Sequence, residues 1–396
     1  MLLTSSRRNK SRNVRNRQRK RRDGRQATRA PVPDRERQAA ELVARAVEQH
    51  RAGHLDRAER GYARALDLCP TMPDALNLLG MLRLDAGDAG AATELFQRAV
   101  AHSPDVAAYQ LNLGNARRAQ RHLEPARDAY RRATELDPGL LGAWVNLGVV
   151  HNDLNRTADA VAAFTRALAI DPDYLPARHL LAALTGEHRD SAPMAYVIAL
   201  FDDAAETFDE LLAGLQYRVP WHLRALLDEL PGAGRGDWTV IDIGCGTGLC
   251  GPLFRDVAGT LIGCDLSEGM LIKADARAVY DQLLLAPLVE LLRARDSDVD
   301  LVVAADVFIY VGALEAAFDA ACRALCPGGL LLFSVERTDG DHFALRPSGR
   351  FAHADAYIAR LATERNFRVL RAQPTTIRIE NSAPIAGQLY ALQRGE

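Results

Sequence analysis

The sequence predicts a multidomain protein in which an all-α solenoid of helical repeats precedes an α/β domain with a doubly wound, seven-stranded sheet. Two observations carry this prediction. Five residue positions recur with a period of 34 from residue 39 onward, and beyond residue 238 short apolar runs alternate with helical patterns. We predict four segments, namely a disordered Arg-rich tail at 1–37, repeats with a capping helix at 38–185, a linker and helical lid at 186–235, and the α/β domain at 236–396.

The composition is that of an ordinary globular protein, with 48% hydrophobic and 25% charged residues. No apolar run is long enough to span a membrane, and the N-terminus shows no secretory signal pattern. The six cysteines form no CxxC pair and no zinc pattern. These features predict a protein of the reducing cytoplasm without a metal site.

The first 30 residues hold twelve Arg and Lys residues and a single acid, Asp23. Two interpretations stay open. One is an arm that binds nucleic acid or another anionic surface, and the other is a solvated tail or a segment ahead of the true start codon. Because the tail has no aromatic residue on which bases would stack, the sequence favours the second interpretation.

The helical repeats follow the tail with a period of 34 and no gap. Small residues at the eighth and twentieth positions let two helices approach closely, an aromatic ring at the twenty-fourth fills the space between repeats, and proline at the thirty-second ends the second helix. The matching residues are Ala46, Gly80, Gly114 and Gly148 at the eighth position, Ala58, Ala92, Ala126 and Ala160 at the twentieth, Tyr62, Phe96, Tyr130 and Phe164 at the twenty-fourth, Ala65, Ala99, Ala133 and Ala167 at the twenty-seventh, and Pro70, Pro104, Pro138 and Pro172 at the thirty-second.

This pattern resembles tetratricopeptide (TPR) repeats, in which each unit is a helix-turn-helix and stacked units share one core. The segment 175–185 is then the capping helix. The resemblance implies a concave groove that binds a peptide or a partner protein. Asn112 and Asn146 occupy the same repeat position, and we predict that they line this groove and bind a peptide backbone. Oligomerisation, or packing against the α/β domain, stays open as the alternative use of the array.

The stretch VIDIGCGTGLCG at 240–251 predicts a buried strand, a tight glycine loop and the start of a helix. A P-loop requires Lys followed by Ser or Thr after its last glycine, whereas Leu249 and Cys250 follow here. A dinucleotide-binding loop requires Gly or Ala at position 249. Nucleoside triphosphates are therefore excluded as ligands of this loop, and dinucleotides are disfavoured.

The remaining pattern, DxGxGxG, resembles the first motif of class I S-adenosylmethionine-dependent methyltransferases, whose domain has a Rossmann-like seven-stranded sheet. Glycines let the backbone approach the cofactor without a Cβ in the way. An acid at the strand end attracts the methionine ammonium directly or through water. The predicted cofactor is S-adenosylmethionine, and its predicted contacts in this loop are Asp242, Gly244, Cys245, Gly246 and Gly248.

A second strand ends in Asp265, 17 residues after the last glycine of the loop. A carboxylate accepts two hydroxyl protons at once, so we predict that Asp265 binds both ribose hydroxyls, with Leu266 as a neighbouring cofactor contact. Ser267 is predicted to cap the next helix. The family's usual acid after the third strand is missing, because Ala286 and Pro287 occupy that place. Adenine recognition is then expected from backbone groups or apolar contacts.

The segment FDDAAETFD, ahead of the glycine loop, resembles a stretch found in many small methyltransferases, in which an aromatic lid covers the methionine end of the cofactor. This resemblance implies cofactor contacts for Tyr196 and Phe201. The alternative is that both rings belong to the core of an amphipathic helix, since apolar residues at helical spacing usually do.

Methyl acceptors of this family usually lie after the fourth strand, where Asp306 and Tyr310 are found. We predict that both residues orient the acceptor, and that Asp306 takes a proton where one is lost. His353, with Arg350 three residues before it, is predicted to contact an anionic or hydroxyl-bearing substrate or the lid. A capping role for Asp306 and a structural role for His353 stay open. The sequence shows no NPPY-type tetrad, which disfavours DNA methylation.

The repeats, the lid and the loop together resemble a group of bacterial predicted methyltransferases that carry TPR repeats. This resemblance implies an S-adenosylmethionine-dependent methyltransferase whose repeats recruit a protein, either the substrate itself or a carrier of it. Two alternatives stay open. The protein is a scaffold whose methyltransferase fold is inactive or only senses the cofactor, or it methylates a small molecule and uses its repeats to oligomerise. The sequence does not indicate the methyl acceptor.

Overall fold

The computed structural model describes residues 32–232, 236–380 and 382–396. The chain divides into two compact units, one up to Asn155 and the other from Arg156 to Glu396. The predicted basic tail lies outside the described residues up to position 31. Residues 32–37, predicted to belong to the tail, are helical instead. Asp34 lies in the first turn of that helix, where a negative charge is favourable.

The first unit consists of helices joined by short turns, and consecutive helices form the predicted helix-turn-helix pairs. Alanines at the twentieth and twenty-seventh repeat positions are fully buried between these helices. The helices of this unit are α1 (Val32–Arg51), α2 (Leu55–Leu68), α3 (Pro73–Asp85), α4 (Ala89–His102), α5 (Ala107–Ala119), α6 (Leu123–Leu136) and α7 (Leu141–Asp153).

In the second and third repeats, the aromatic ring packs on the glycine of the same repeat. A Cβ added at Gly114 would come within 2.4 Å of the Tyr130 ring, so only glycine fits there. The rings of the first two repeats also join clusters with residues of the following repeat, as predicted. The first repeat has Ala46 in place of the glycine, and it places Gly61 on the facing helix, where a Cβ would lie 2.6 Å from the Ala46 methyl. The missing glycine is thus compensated on the partner helix.

The second unit begins with the second helix of the fourth repeat and the predicted capping helix. His179 on the capping helix is buried, and its Nε2 lies 2.7 Å from the Gly349 carbonyl oxygen. The helices before the sheet are α8 (Thr157–Ile170), α9 (Leu175–Thr185), α10 (Met194–Ala204), α11 (Phe208–Gly214) and α12 (Val219–Asp228). The helices within the α/β region are α13 (Gly251–Phe254), α14 (Glu268–Asp275), α15 (Leu288–Arg293), α16 (Glu315–Ala324) and α17 (Asp355–Glu364).

The sheet consists of the strands β1 (Trp238–Ile243), β2 (Ala258–Asp265), β3 (Gln282–Leu285), β4 (Val299–Ala304), β5 (Leu325–Arg337), β6 (Phe343–Leu345), β7 (Phe351–His353), β8 (Phe367–Glu380) and β9 (Ala383–Arg394). Five parallel strands form its centre in the order β3-β2-β1-β4-β5. The stretches FRVL and QLYAL of the sequence predict a closing antiparallel hairpin. This hairpin is confirmed, since β9 runs antiparallel to β5 and to β8. Because the carboxyl ends of parallel strands meet at one edge, the loops after β1, β2 and β4 come together there.

Two features of the sheet differ from the sequence prediction. The described residues form a nine-stranded sheet where seven strands were predicted. The additional strands are the short hairpin β6–β7, and β7 pairs in parallel with the end of β5. The sequence also predicts a helix at 351–363, but the helix begins only at Asp355, because Phe351 and His353 are buried in β7. The alternation along β1 is as expected for a central strand, with Ile241 and Ile243 in the core on one face and Val240 in the core on the other.

Candidate active site

The glycine loop follows β1 with a backbone that turns repeatedly through the left-handed region. Gly244 has φ +62° and Gly246 has φ +55°, a conformation that residues with a Cβ rarely adopt. A Cβ at Gly244 would also come within 2.7 Å of the Val307 side chain. At Gly246 the space above the backbone is open, and the nearest atom to an added Cβ is on the Phe208 ring at 3.9 Å. The loop therefore presents bare backbone to an open space.

Asp265 at the end of β2 fixes this loop. One of its carboxylate oxygens accepts from the Gly246 N–H at 2.9 Å, and the other accepts from the Ser267 N–H at 2.9 Å. Burial raises the pKa of this carboxyl group, and the backbone donors oppose the shift. Ser267 caps α14 as predicted, since its side chain accepts from the Met270 N–H. Asp265 and the glycine loop, predicted as two halves of one site, are in direct contact.

Asp242, the acid of β1, is buried beneath the loop. The Tyr280 hydroxyl donates to its Oδ2 at 2.6 Å. Its Oδ1 is buried and accepts no N–H or O–H donor within the described part of the chain. Burial raises the pKa of Asp242 to about 7, and the hydrogen bond from Tyr280 opposes this shift. Tyr280 was not predicted to have a role, because this side chain reaches Asp242 from a loop 38 residues further along the chain.

Two acids on the lid helices accept hydrogen bonds, one from the residue that caps α14 and the other from the glycine loop. The Ser267 hydroxyl donates to Asp202 of α10, and the Thr247 hydroxyl donates to Asp209 of α11. Arg277 joins the second contact, because it donates to both the Thr247 carbonyl and the Asp209 carboxylate. These acids lie within the FDDAAETFD stretch, in which a cofactor contact was predicted for an aromatic residue but no role was predicted for the acids. The lid is thus held on the loop by charge-assisted hydrogen bonds.

The predicted aromatic residues come together beside the loop. Tyr196, Phe201, Leu266 and Tyr310 belong to one half-buried apolar cluster. The Phe201 ring packs edge-on against Tyr310, with centroids 5.4 Å apart, and against Phe208, at 5.7 Å. The structure therefore brings the lid residues, the residue after Asp265 and one predicted acceptor residue into contact with each other.

Asp306 stands after β4 in an unusual backbone conformation, with φ +61°. Its N–H donates to the Ser334 hydroxyl at 2.9 Å, and its Oδ2 accepts from Arg378 at 3.0 Å. Its Oδ1 is buried without a partner among the described residues. Burial raises the pKa of Asp306, and the charge of Arg378 opposes the shift. A non-glycine residue with positive φ next to a ligand site is a common mark of a functional position.

Arg378 organises a buried ionic network that sequence reasoning missed. Only 2% of its side chain is exposed, and besides Asp306 it binds Glu336 and Glu380. Arg350 shares Glu380 at 2.6 Å. Arg378 comes from the closing hairpin, 72 residues after Asp306, so no local pattern links them. The network fixes the floor of the predicted acceptor region.

His353 occupies a structural position. It is fully buried, and its Nε2 lies 3.0 Å from the carbonyl oxygens of both Val311 and Gly312. Burial lowers its pKa to about 4, so the ring is neutral at physiological pH. The geometry gives no support to the substrate contact predicted for His353. The ring instead anchors β7 to the segment after Tyr310.

Cys245 is a predicted cofactor contact, and Pro287 stands where the family's usual acid after the third strand is missing. The Cys245 N–H donates to the Cys264 carbonyl at 2.9 Å, and burial raises the pKa of the Cys245 thiol. Pro287 precedes α15 at the end of β3, so the place of the usual adenine-binding acid is occupied as the sequence indicated. In the described ranges, no group of three or more His, Cys, Asp or Glu side chains is placed to hold a metal ion.

The two asparagines predicted to line the groove use their amides within the array. Asn112 Nδ2 donates to Asn77 Oδ1 at 2.9 Å, and Asn146 Nδ2 donates to Asn115 Oδ1 at 2.9 Å. Both side chains are half-buried. Each therefore forms a hydrogen bond to the preceding repeat, and the acceptors lie at different repeat positions. A peptide contact stays a prediction for both residues.

Two family models match the two parts of this chain. A methyltransferase-domain model matches residues 241–333, and a tetratricopeptide-repeat model matches 43–107, 77–140 and 111–174. The magnesium protoporphyrin IX methyltransferase of Synechocystis, solved with bound S-adenosylhomocysteine, is 17% identical with a TM-score of 0.40, covering 51% of this chain and 99% of that one. None of the helices in the described ranges is long and apolar enough to cross a membrane.

Curated relatives of this chain carry the name malonyl-[acyl-carrier protein] O-methyltransferase. The protein of Yersinia pestis is 33% identical over 139 residues, which are 35% of this chain and 49% of the relative, so the chain spans about half of that relative's length. The protein of Methylococcus capsulatus is 30% identical over 190 residues, which are 46% of this chain and 68% of the relative. Together with the glycine loop and its paired acid, these matches show that the chain belongs to the class I S-adenosylmethionine-dependent methyltransferases and carries TPR repeats ahead of that domain.

Proposed function

We propose that the protein is an S-adenosylmethionine-dependent methyltransferase that uses the site at the carboxyl edge of the sheet. The observation that carries this proposal is the pairing of bare loop backbone at Gly246 with two acids, the buried Asp242 and the half-buried Asp265. Asp242 Oδ1, which accepts no N–H or O–H donor from the described residues, fits the ammonium of the cofactor, and Asp265 has lone pairs left for hydroxyl donors. The residues that would hold the cofactor are Asp242, Gly244, Cys245, Gly246, Gly248, Asp265 and Leu266, with Tyr196 and Phe201 in the lid.

Bound S-adenosylmethionine supplies an electrophilic methyl group. The chain then contributes position and the exclusion of water. The lid, fixed through Asp202 and Asp209, excludes water from the loop side. Asp306 and Tyr310 would orient the acceptor, because Asp306 Oδ1 lacks a partner among the described residues and its orientation is fixed by Arg378. Where the acceptor atom carries a proton, Asp306 would receive it.

The experiment that tests cofactor binding is a calorimetric titration of S-adenosylhomocysteine into the full-length protein and into Gly246→Arg. The wild type should bind and the variant should not, because the Arg side chain fills the open space over the loop. Gly53→Arg is the matched control. Gly53 also has positive φ, at +75°, but an added Cβ meets nothing within 4 Å. Absence of binding by the wild type would refute the proposal.

We further propose that the repeats recruit a protein that is the substrate or carries it. The name of the relatives supports this, since it gives their acceptor as malonyl-[acyl-carrier protein]. The test compares methyl transfer to malonyl-[acyl-carrier protein] with transfer to a malonyl thioester without the protein. Equal rates would favour a small-molecule enzyme, and no transfer despite cofactor binding would favour a scaffold. The free cysteines of the described structure support a reducing cytoplasmic location.

A further inference from the structure

The first repeat carries an open groove of about 610 Å³ on one side of α1 and α2. We call it the first-repeat groove. Its lining residues recur at spacings of three and four along α1 and α2, so each helix contributes one face. Apolar residues form the floor of the groove, and arginines form its rim. The lining residues are Leu42, Arg45, Ala46, Gln49, Arg57, Arg60, Gly61, Ala63 and Arg64.

The same face of the second repeat is covered. The counterparts of Leu42 and Gly61, one period later, are Leu76 and Leu95. Both pack against Leu66 of the first repeat. The first-repeat groove is therefore the surface on which a preceding helix would stack, and α1 and α2 leave it open.

Three of the four arginines of the basic rim are particular to the first repeat. Arg45, Arg57, Arg60 and Arg64 are all exposed. No ion pair holds any of them in the described structure, although many other arginines of the chain are paired. At the next repeat, the positions of Arg45, Arg57 and Arg60 hold Leu, Ala and Glu. The stacking of repeats therefore does not require these three arginines, whereas the position of Arg64 holds Arg98 one period later. All four arginines surround an apolar floor without an ion pair to any residue that the structure describes.

Gln49 adds a polar acceptor to the floor. Its Oε1 is buried and has no hydrogen-bond partner among the described residues. A buried acceptor of this kind is unfavourable until a donor reaches it. A ligand for this groove thus needs negative charge for the rim, apolar side chains for the floor and one N–H or O–H donor.

We propose that the first-repeat groove binds an acidic amphipathic helix of a partner protein. This inference deepens the proposed recruitment by the repeats and rests on it. The chain's own tail does not complement the groove, because residues 1–30 carry twelve basic residues and one acid. A second copy of the groove would place like charges together. Nucleic acid is disfavoured because no aromatic side chain lines the groove for base stacking.

The test uses a fluorescein-labelled peptide designed as a helix with Leu on one face and Glu on the other, followed by fluorescence anisotropy with the full-length protein. The double variant Arg57→Glu, Arg60→Glu should bind it about tenfold more weakly or worse, and higher salt should weaken wild-type binding. The control Arg131→Glu, Arg166→Glu makes the same charge change at exposed positions outside the groove and should bind like the wild type. Circular dichroism checks that both variants are folded.

Three results would overturn the proposal. The peptide fails to bind the wild type, it binds the groove variant as well as the wild type, or a Leu/Lys peptide binds equally well. Tighter binding of a single-stranded oligonucleotide at the same arginines would also overturn it, in favour of a nucleic-acid surface. Titration of S-adenosylhomocysteine into the same variants separates this outcome from failure of the methyltransferase proposal, because that titration does not involve the groove.

Discussion

We expect cofactor affinity to depend on the protonation of Asp242. Burial raises the pKa of this carboxyl group from 3.8 to about 7. A raised pKa means that the ligand-free fold is more stable with Asp242 protonated, and this stability is lost as pH rises from about 4 to about 7. A positively charged ammonium beside Oδ1 favours the ionised form instead. Cofactor binding below pH 7 must therefore remove the proton of the Asp242 carboxyl group.

The size of the effect follows from the titration of one group. With a pKa of about 7, Asp242 is about one-tenth ionised at pH 6 and about nine-tenths ionised at pH 8. The dissociation constant for S-adenosylhomocysteine should fall about tenfold between these values, with proton release at the lower pH. Calorimetry in buffers of different ionisation enthalpy measures both the affinity and the proton release.

Two variants make this prediction specific to Asp242. Asp242→Asn cannot titrate, so its weaker binding should show no pH dependence from this group. Tyr280→Phe removes a hydrogen bond to the carboxylate, which raises the pKa further and moves the pH dependence upward by about one unit or more. The reasoning is wrong if the wild type binds equally well at pH 6 and pH 8, or if Asp242→Asn keeps the wild-type slope.

Two further predictions concern stability, and chemical denaturation followed by circular dichroism tests both. Arg378→Met should lower the free energy of unfolding by about 3–5 kcal/mol, because it leaves Glu336 and two other acids without their shared buried cation. A loss below about 1 kcal/mol would contradict a stabilising role for this cation. Gly114→Ala should cost about 1–3 kcal/mol through overlap with Tyr130. Gly90→Ala, at a helical glycine where an added Cβ has room, should cost nothing.

The repeat array was predictable because its information is local and periodic. Small, aromatic and proline residues at fixed positions determined where each helix begins and ends, and α9 spans the predicted capping segment. The periodic pattern did not reveal that Gly61 makes room for Ala46, which replaces the usual glycine, because position 61 is not one of the repeated positions. It also gave no sign that Asn112 and Asn146 would bond to asparagines of the preceding repeat.

The cofactor side of the site was predictable for a similar reason. Asp242 and Asp265 lie at the carboxyl ends of two adjacent parallel strands and Gly246 directly follows the first, so the order of the chain already brings them to one edge. The acceptor side was not predictable. Asp306 depends on Arg378 from the closing hairpin, and the burial that neutralises His353 arises only when β7 packs in the sheet.

The sequence by itself determined the two classes of fold, the glycine loop with its paired acid, and the absence of the usual acid after the third strand, because each is written in neighbouring residues or in a fixed period. Only the tertiary structure decided which charges share a buried environment. It joined Asp202 to Ser267 and Asp209 to the loop, and it placed Tyr280 on Asp242. It also left the basic face of the first repeat open among the described residues. These contacts link residues far apart in the chain, and their energies depend on burial, which no local pattern specifies.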